Sequence, residues 1–394
     1  MSVPYRRILS VLLSFFLFGP LAGAGELTVE DFCFEGPLGS PGTTLERLGV
    51  NHFRVSLPRA PGHPEWSQML RFTLKNAKGN SLRLDNGPSG LRCFGSYSYD
   101  GKTWHPVEKA VVEENGKKIP TILFPEFTEE TVYFGEEIPM SYEDMLEMIE
   151  RWKKHPCVSV HAIGESCGGR TIYRVTITDA DSPIPEENRW VHHAVNQHCY
   201  EFNAMWRIVG MIEWLLGDEA AQARKRHIGH FVVMMNVDGP SSGFARVNAQ
   251  GVDMNRGYSS TGADPEKQPQ ESYVVQKDME RIHAKTPLTT TWSMHTWAGP
   301  KVDLLLRPAP PMKEGELGSW KDFQKIVFKN SENDQFNTFQ HLTGEPSLTH
   351  WTSGTHVQFG CSAFCCEGCG DMRSIVENKQ VGETLMKSLV EFYK

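Results

Sequence analysis

Gln197-His198-Cys199-Tyr200-Glu201 opens the long apolar run 201–216, and a strand-like stretch carrying His192 and His193 leads into it. The run is rich in Met, Ile, Trp and Leu and reads as a buried helix. A histidine and a glutamate three residues apart on a helical turn face the same point. With one distant histidine they make a set of three protein ligands with an open position, the form of a catalytic zinc site.

Working outward, strands and helices alternate on both sides. Ser141-Tyr142-Glu143-Asp144 has the capping-box form and opens a helix whose stripe is Met145, Leu146, Ile149 and Trp152. The spacing predicts strands at 173–177, 230–235 and 288–294, and helices at 270–283 and 382–393. Residues 306–320, rich in proline and glycine, read as a surface loop. Such alternation predicts an α/β fold with a mixed central sheet flanked by helices.

Residues 25–135 differ. Phe53-Arg54-Val55-Ser56-Leu57, Leu70-Arg71-Phe72-Thr73-Leu74 and Thr131-Val132-Tyr133-Phe134 alternate with period two between turn signals. They predict a smaller all-β sandwich domain ahead of an α/β domain at 136–394. Residues 1–24 carry Arg6 and Arg7, the apolar stretch 8–18 and the small-residue site Ala22-Gly23-Ala24, the layout of a secretory signal peptide. The expected product is exported, periplasmic or extracellular, and begins near Gly25, with no stable membrane insertion. Its charge changes from −8 to −10, because residues 1–24 hold two arginines and no acid. That balance argues against a general nucleic-acid binder. The nine cysteines are an odd number, so a monomer keeps at least one thiol unpaired.

Further motifs follow in order. Gly164-Glu165-Ser166-Cys167-Gly168-Gly169-Arg170 reads as a strand–turn–strand. Asn236-Val237-Asp238-Gly239 follows a buried strand, Arg246 stands ten residues after Asn236, and Gly251-Val252-Asp253-Met254-Asn255-Arg256 comes next. His295 ends a predicted strand, where α/β enzymes place their sites, and is preferred to His283, read as an exposed residue of an amphipathic helix. Glu367 lies in Cys361-Ser362-Ala363-Phe364-Cys365-Cys366-Glu367-Gly368 near the end of the chain.

Taken together, these motifs resemble the zinc metallocarboxypeptidase family of the carboxypeptidase A type, and the β-rich segment ahead of them is similar to its cytosolic-carboxypeptidase-like branch. The resemblance implies one Zn²⁺ held by His198, Glu201 and His295, with Asp253 orienting the far nitrogen of His198. It implies Glu367 as general base, Arg246 as the cation that stabilises the oxyanion, and Asn255 and Arg256 as the grip on a free C-terminal carboxylate. The implied reaction removes C-terminal residues from peptides or proteins. The alternatives are an amidase of the same fold acting on peptidoglycan stem peptides or N-acyl amino acids, and a non-catalytic binding protein.

The sequence departs from the family in three places. Cys-Tyr replaces the usual Pro-Gly inside the His-x-x-Glu motif, and residues 339–356 hold no tyrosine to cap the substrate, only His341, His350, Trp351 and His356. Four cysteines surround Glu367, and a disulfide from Cys199 to one of them would tie the His198 segment to the Glu367 strand.

Overall fold

The computed structural model describes residues 25–86, 95–296, 305–308, 314–331, 347–368 and 374–394. The expected signal segment lies outside the described residues.

The N-terminal region is all-β. One five-stranded sheet runs in the order Phe32–Cys33, Arg71–Leu74, Val132–Gly135, Ser96–Ser98, Trp104–Pro106. A second runs Glu108–Glu114, Lys117–Phe124, Leu82–Asn86, His52–Ser56, Thr44–Gly49. Their inward-facing residues share one apolar core. Phe32 of the first sheet meets Phe53 of the second edge to face, with ring centroids 5.2 Å apart. A separate two-stranded hairpin, Arg59–Ala60 with His63–Ser67, projects from this region.

The C-terminal part is built on a seven-stranded mixed sheet. Its order is Val158–Glu165, Thr171–Ile177, His227–Val232, Trp190–Asn196, Thr290–Thr296, Ser362–Gly368, Leu305–Pro308. The four strands from His227–Val232 to Ser362–Gly368 pair in parallel, and the flanking pairings are antiparallel. Fully buried parallel strands need apolar residues on both faces. His192, His193 and Asn196 are the polar exceptions on Trp190–Asn196, and all three are buried.

The capping box at Ser141 forms as the sequence indicated: Asp144 N–H donates to Ser141 Oγ at 2.9 Å, and Ser141 N–H donates to the Asp144 carboxylate at 2.8 Å. Helix Phe202–Leu216 is buried almost all round, and Ile375–Phe392 packs directly on it. Two glycines make that contact possible. A Cβ on Gly210 would stand 2.1 Å from the Lys379 carbonyl oxygen, and one on Gly382 would stand 1.8 Å from that of Arg207. The two backbones therefore approach more closely than any side chain would allow.

Two local readings are corrected. The stretch 306–320 is not one surface loop: Leu305–Pro308 extends the sheet by pairing with Ser362–Gly368, and the helix Glu314–Asn330 begins at 314. An edge strand needs only a short extended segment, so its proline and glycine neighbours masked it. His283 is half-buried rather than exposed, because its Nδ1 accepts from Leu288 N–H at 3.2 Å and its ring lies 4.8 Å from that of Phe359.

Candidate metal centre

The parallel strands deliver the predicted residues to one edge of the sheet. His198 and Glu201 follow Trp190–Asn196, His295 lies in Thr290–Thr296, and Glu367 lies in Ser362–Gly368. Residues at the carboxyl ends of parallel strands converge in this way because the chain leaves the sheet there in loops.

His198, Glu201 and His295 meet as a buried group whose ligand atoms all lie within 4.8 Å of one another. His198 Nδ1 is 2.9 Å from Glu201 Oε1, and His295 Nδ1 is 2.7 Å from Glu201 Oε2. The pair is not on the first turn of the helix, as its spacing suggested. Glu201 is the N-cap residue, with φ −87° and ψ 60°, and its carbonyl receives the first helical bonds from Ala204 and Met205. The tight turn closed by Glu201 N–H on the His198 carbonyl makes the two side chains converge instead.

The far nitrogens decide whether the group suits a metal. His198 Nε2–H donates to Asp253 Oδ1 at 2.9 Å, which leaves Nδ1 facing inward. Ser293 Oγ–H donates to Gln197 Oε1 at 3.0 Å, so its oxygen is free to accept from His295 Nε2–H at 2.9 Å. That again leaves Nδ1 facing inward. Two inward imidazole nitrogens and one carboxylate, each braced from behind, fit a divalent cation that prefers nitrogen and oxygen donors. Burial opposes the Glu201 charge, but His198 and His295 outweigh it and hold the carboxyl far below its usual range. Burial likewise lowers the His198 imidazole, and the charges of Glu201 and Asp253 reverse that effect and raise it.

Asp253 has a second role. Its Oδ2 accepts from Arg246 Nε at 2.7 Å, so one carboxylate links His198 to the arginine. Arg246 and Arg256 line a cavity of about 690 Å³ together with Asp253. Glu367 stands opposite His295 in the register of adjacent parallel strands, and Cys365 Sγ lies 3.6 Å from its Oε1. Asn255 faces inward rather than into the cavity: its Nδ2 is 3.2 Å from His295 Nε2 and its Oδ1 accepts from Trp351 N–H at 3.2 Å.

The structure adds residues that the motif reading missed. Ser293 could have been found, because strand alternation puts it on the same face as His295. Gln197 gave no signal in the sequence, and His350 stood out only as a residue of the segment that lacks a capping tyrosine. His350 stands immediately before the helix Trp351–Phe359 without a side-chain capping bond to it, and burial together with Arg256 pushes its imidazole down to about 4. In the segment that lacks a capping tyrosine, Trp351 is structural: it is buried and donates Nε1–H to the Met254 carbonyl at 2.7 Å. His341 lies outside the described residues. The proposed disulfide from Cys199 is also corrected. Cys199 is a free thiol, buried against the Phe244 carbonyl at 2.8 Å, with Cys361 and Cys366 likewise free.

Cys167, Asp238 and Glu271 form another cluster of possible ligands. Their carboxylates are already engaged: Asp238 accepts from Gly168 N–H and Arg170, and Glu271 accepts from Cys167 N–H and Asn248. This is the turn 164–170 locked onto the turn 236–239, and it serves the fold.

Residues 145–296 match the family model described as zinc carboxypeptidase. The resemblance read from the motifs is thereby borne out over this segment. Cytosolic carboxypeptidase 2 of Danio rerio is 28% identical over 209 residues, which are 48% of this chain and 29% of that protein. Cytosolic carboxypeptidase 3 of Mus musculus is 27% identical over 146 residues, 36% of this chain and 14% of that protein. The match therefore spans less than a third of either relative.

Solved structures extend the likeness in fold to almost the whole chain. A metallo-carboxypeptidase from Burkholderia cenocepacia superposes with a TM-score of 0.74 at 20% identity, covering 88% of this chain and 95% of that one. A metallo-carboxypeptidase from Pseudomonas aeruginosa in complex with (2-guanidinoethylmercapto)succinic acid gives 0.72 at 20% identity, covering 89% and 97%.

Proposed function

We propose that this protein is a zinc-dependent carboxypeptidase that removes single residues from the free C-termini of peptides. The observation that carries this reading is the convergence of His198 Nδ1, His295 Nδ1 and the Glu201 carboxylate, each far nitrogen braced by Asp253 or Ser293. A zinc ion held by these three residues would supply Lewis-acid polarisation and acidify a water molecule.

The remaining steps belong to the chain's own side chains. Glu367, beside His295, takes a proton from the attacking water and returns it to the departing amine. Arg246 is held by Asp253 and partly open to the cavity, so its guanidinium is available to the charge that develops on the scissile carbonyl oxygen. Arg256 lines the same cavity and suits a terminal carboxylate through a bidentate contact. Asn255 Nδ2 points toward His295 and away from the cavity, so its grip on that carboxylate would form only as the side chain turns on substrate binding.

The test is mass spectrometry of peptides with free and amidated C-termini after incubation with the zinc-loaded protein and with Glu367→Gln. Single-residue loss from free acids alone, absent in the variant, is the expected result. No cleavage of any peptide by protein containing stoichiometric zinc would overturn the reading and direct the search to cell-wall and acyl-amino-acid substrates.

Export is a separate proposal. It is supported by the Arg6-Arg7 start, the apolar stretch 8–18 and the Ala22-Gly23-Ala24 site. Amino-terminal sequencing of the mature protein is expected to begin at Gly25, and an intact Met1 terminus would overturn it.

A further inference from the structure

We propose that the hairpin Arg59–Ala60 and His63–Ser67 of the N-terminal β region, through Trp66 and the His63 ring stacked on it, forms a binding subsite for peptide residues on the N-terminal side of the scissile bond. The inference rests on the carboxypeptidase reading and gives it a substrate requirement: peptides longer than two residues, with planar or apolar side chains in the upstream positions.

The cavity that holds Arg246, Asp253 and Arg256 has its opposite wall in another part of the chain. His63 and Trp66 line it from the hairpin. The hairpin is seated firmly. His63 Nε2–H donates to the Gly251 carbonyl at 2.9 Å across 188 residues, while its Nδ1 lies 2.9 Å from Glu65 Oε1. Gly251 has a left-handed φ of +76°, and a Cβ there would stand 2.5 Å from the Pro61 carbonyl oxygen. Only glycine permits this approach of hairpin to cavity floor.

The aromatic wall is ordered by its neighbours on both sides. The His63 and Trp66 rings stack at 4.1 Å with 12° between planes, and the Arg246 guanidinium carbon sits 5.7 Å from the Trp66 ring centroid. The hairpin therefore touches the residue assigned to the scissile carbonyl. With the terminal carboxylate at Arg256 and the scissile carbonyl at Arg246, the rest of the substrate continues along this wall. With His63 on the Trp66 ring and Arg246 over it, the half-buried stack offers its aromatic rim, on which apolar side chains pack with little demand on sequence.

The test compares a blocked dipeptide and a hexapeptide that share their last two residues. Trp66→Ala is expected to lower the hexapeptide-to-dipeptide ratio of kcat/KM by about tenfold, the size of one lost aromatic contact. The loss should lie in KM, and Trp66→Phe should retain most of the ratio. An unchanged ratio, or an equal fall for both substrates, would overturn the inference; the latter would mean that Trp66 acts only through Arg246. Calorimetric titration of the metal-free protein with the hexapeptide separates this idea from the reaction itself. If neither peptide is hydrolysed, the carboxypeptidase reading fails, yet hexapeptide binding about tenfold weaker in Trp66→Ala would still support the subsite. Equal binding by both proteins, or binding by neither, would overturn it.

Discussion

His295 and Glu367 are register partners on adjacent parallel strands, Thr290–Thr296 and Ser362–Gly368. Side chains opposite one another in a parallel pair point to the same face of the sheet. The relationship brings a candidate metal ligand and a carboxylate together through backbone hydrogen bonds alone. Replacing Glu367 should therefore change chemistry without disturbing the cluster. Glu367→Gln is expected to lower kcat at least about a hundredfold. Its zinc content, measured by plasma mass spectrometry, should match that of the parent protein.

Asp253 joins His198 to Arg246 through separate carboxylate oxygens. Asp253→Asn keeps the shape but weakens both contacts. Zinc affinity, followed by competition with a chelator, is expected to fall roughly 10- to 100-fold. Unaltered affinity would mean that Asp253 serves Arg246 alone.

Buried histidines make the fold sensitive to acid. Burial pushes His193 down to about 3 and His227 down to about 4, and His192 and His230 are lowered in the same way. Among the described residues His193 has no hydrogen-bond partner on either ring nitrogen, and Arg174 adds to its shift. In the unfolded chain these groups bind protons near pH 6.5, while in the fold they stay neutral well below that. Stability is therefore fully present above about pH 6.5 and is lost as pH falls toward 4 and 3. Urea midpoints of the metal-free protein should fall between pH 6 and 4. His193→Leu should make that fall shallower.

The glycine contact between Phe202–Leu216 and Ile375–Phe392 admits no side chain. Gly382→Ala is expected to destabilise the protein by about 1–3 kcal/mol, the usual cost of overpacking. A melting temperature within a degree of the parent would show that the helices can separate freely.

Cys199, Cys361 and Cys366 are free thiols in the fold. Alkylation under denaturing conditions without reductant should label all three, as read by peptide mass mapping. A disulfide at Cys199 would contradict the packing of its thiol against the Phe244 carbonyl.

The class of fold, and the residues that meet in the candidate centre, were legible along the chain for a physical reason. Strand and helix periods are local, and polar residues at strand ends or turns carry recognisable neighbours, as His198, Glu201, Asp253 and His295 do. The same locality explains the misplaced start of the helix after Glu201, since a His-x-x-Glu spacing fits either a helical turn or the tight turn before one. It also explains the missed edge strand at 305–308, whose pairing depends on a distant partner rather than on its own residues.

By itself the sequence determined an α/β sheet with an all-β region ahead of it, and a His-Glu-His set with a carboxylate and two arginines near it. Only the tertiary structure decided which atoms face inward, because Ser293 and Asp253 select the tautomers from opposite sides of the cluster. It alone also turned Asn255 toward His295, left Cys199 as a thiol, and set His63 and Trp66 against Arg246 and Gly251. Those contacts join segments up to 188 residues apart, and no periodicity or spacing within either segment encodes the meeting.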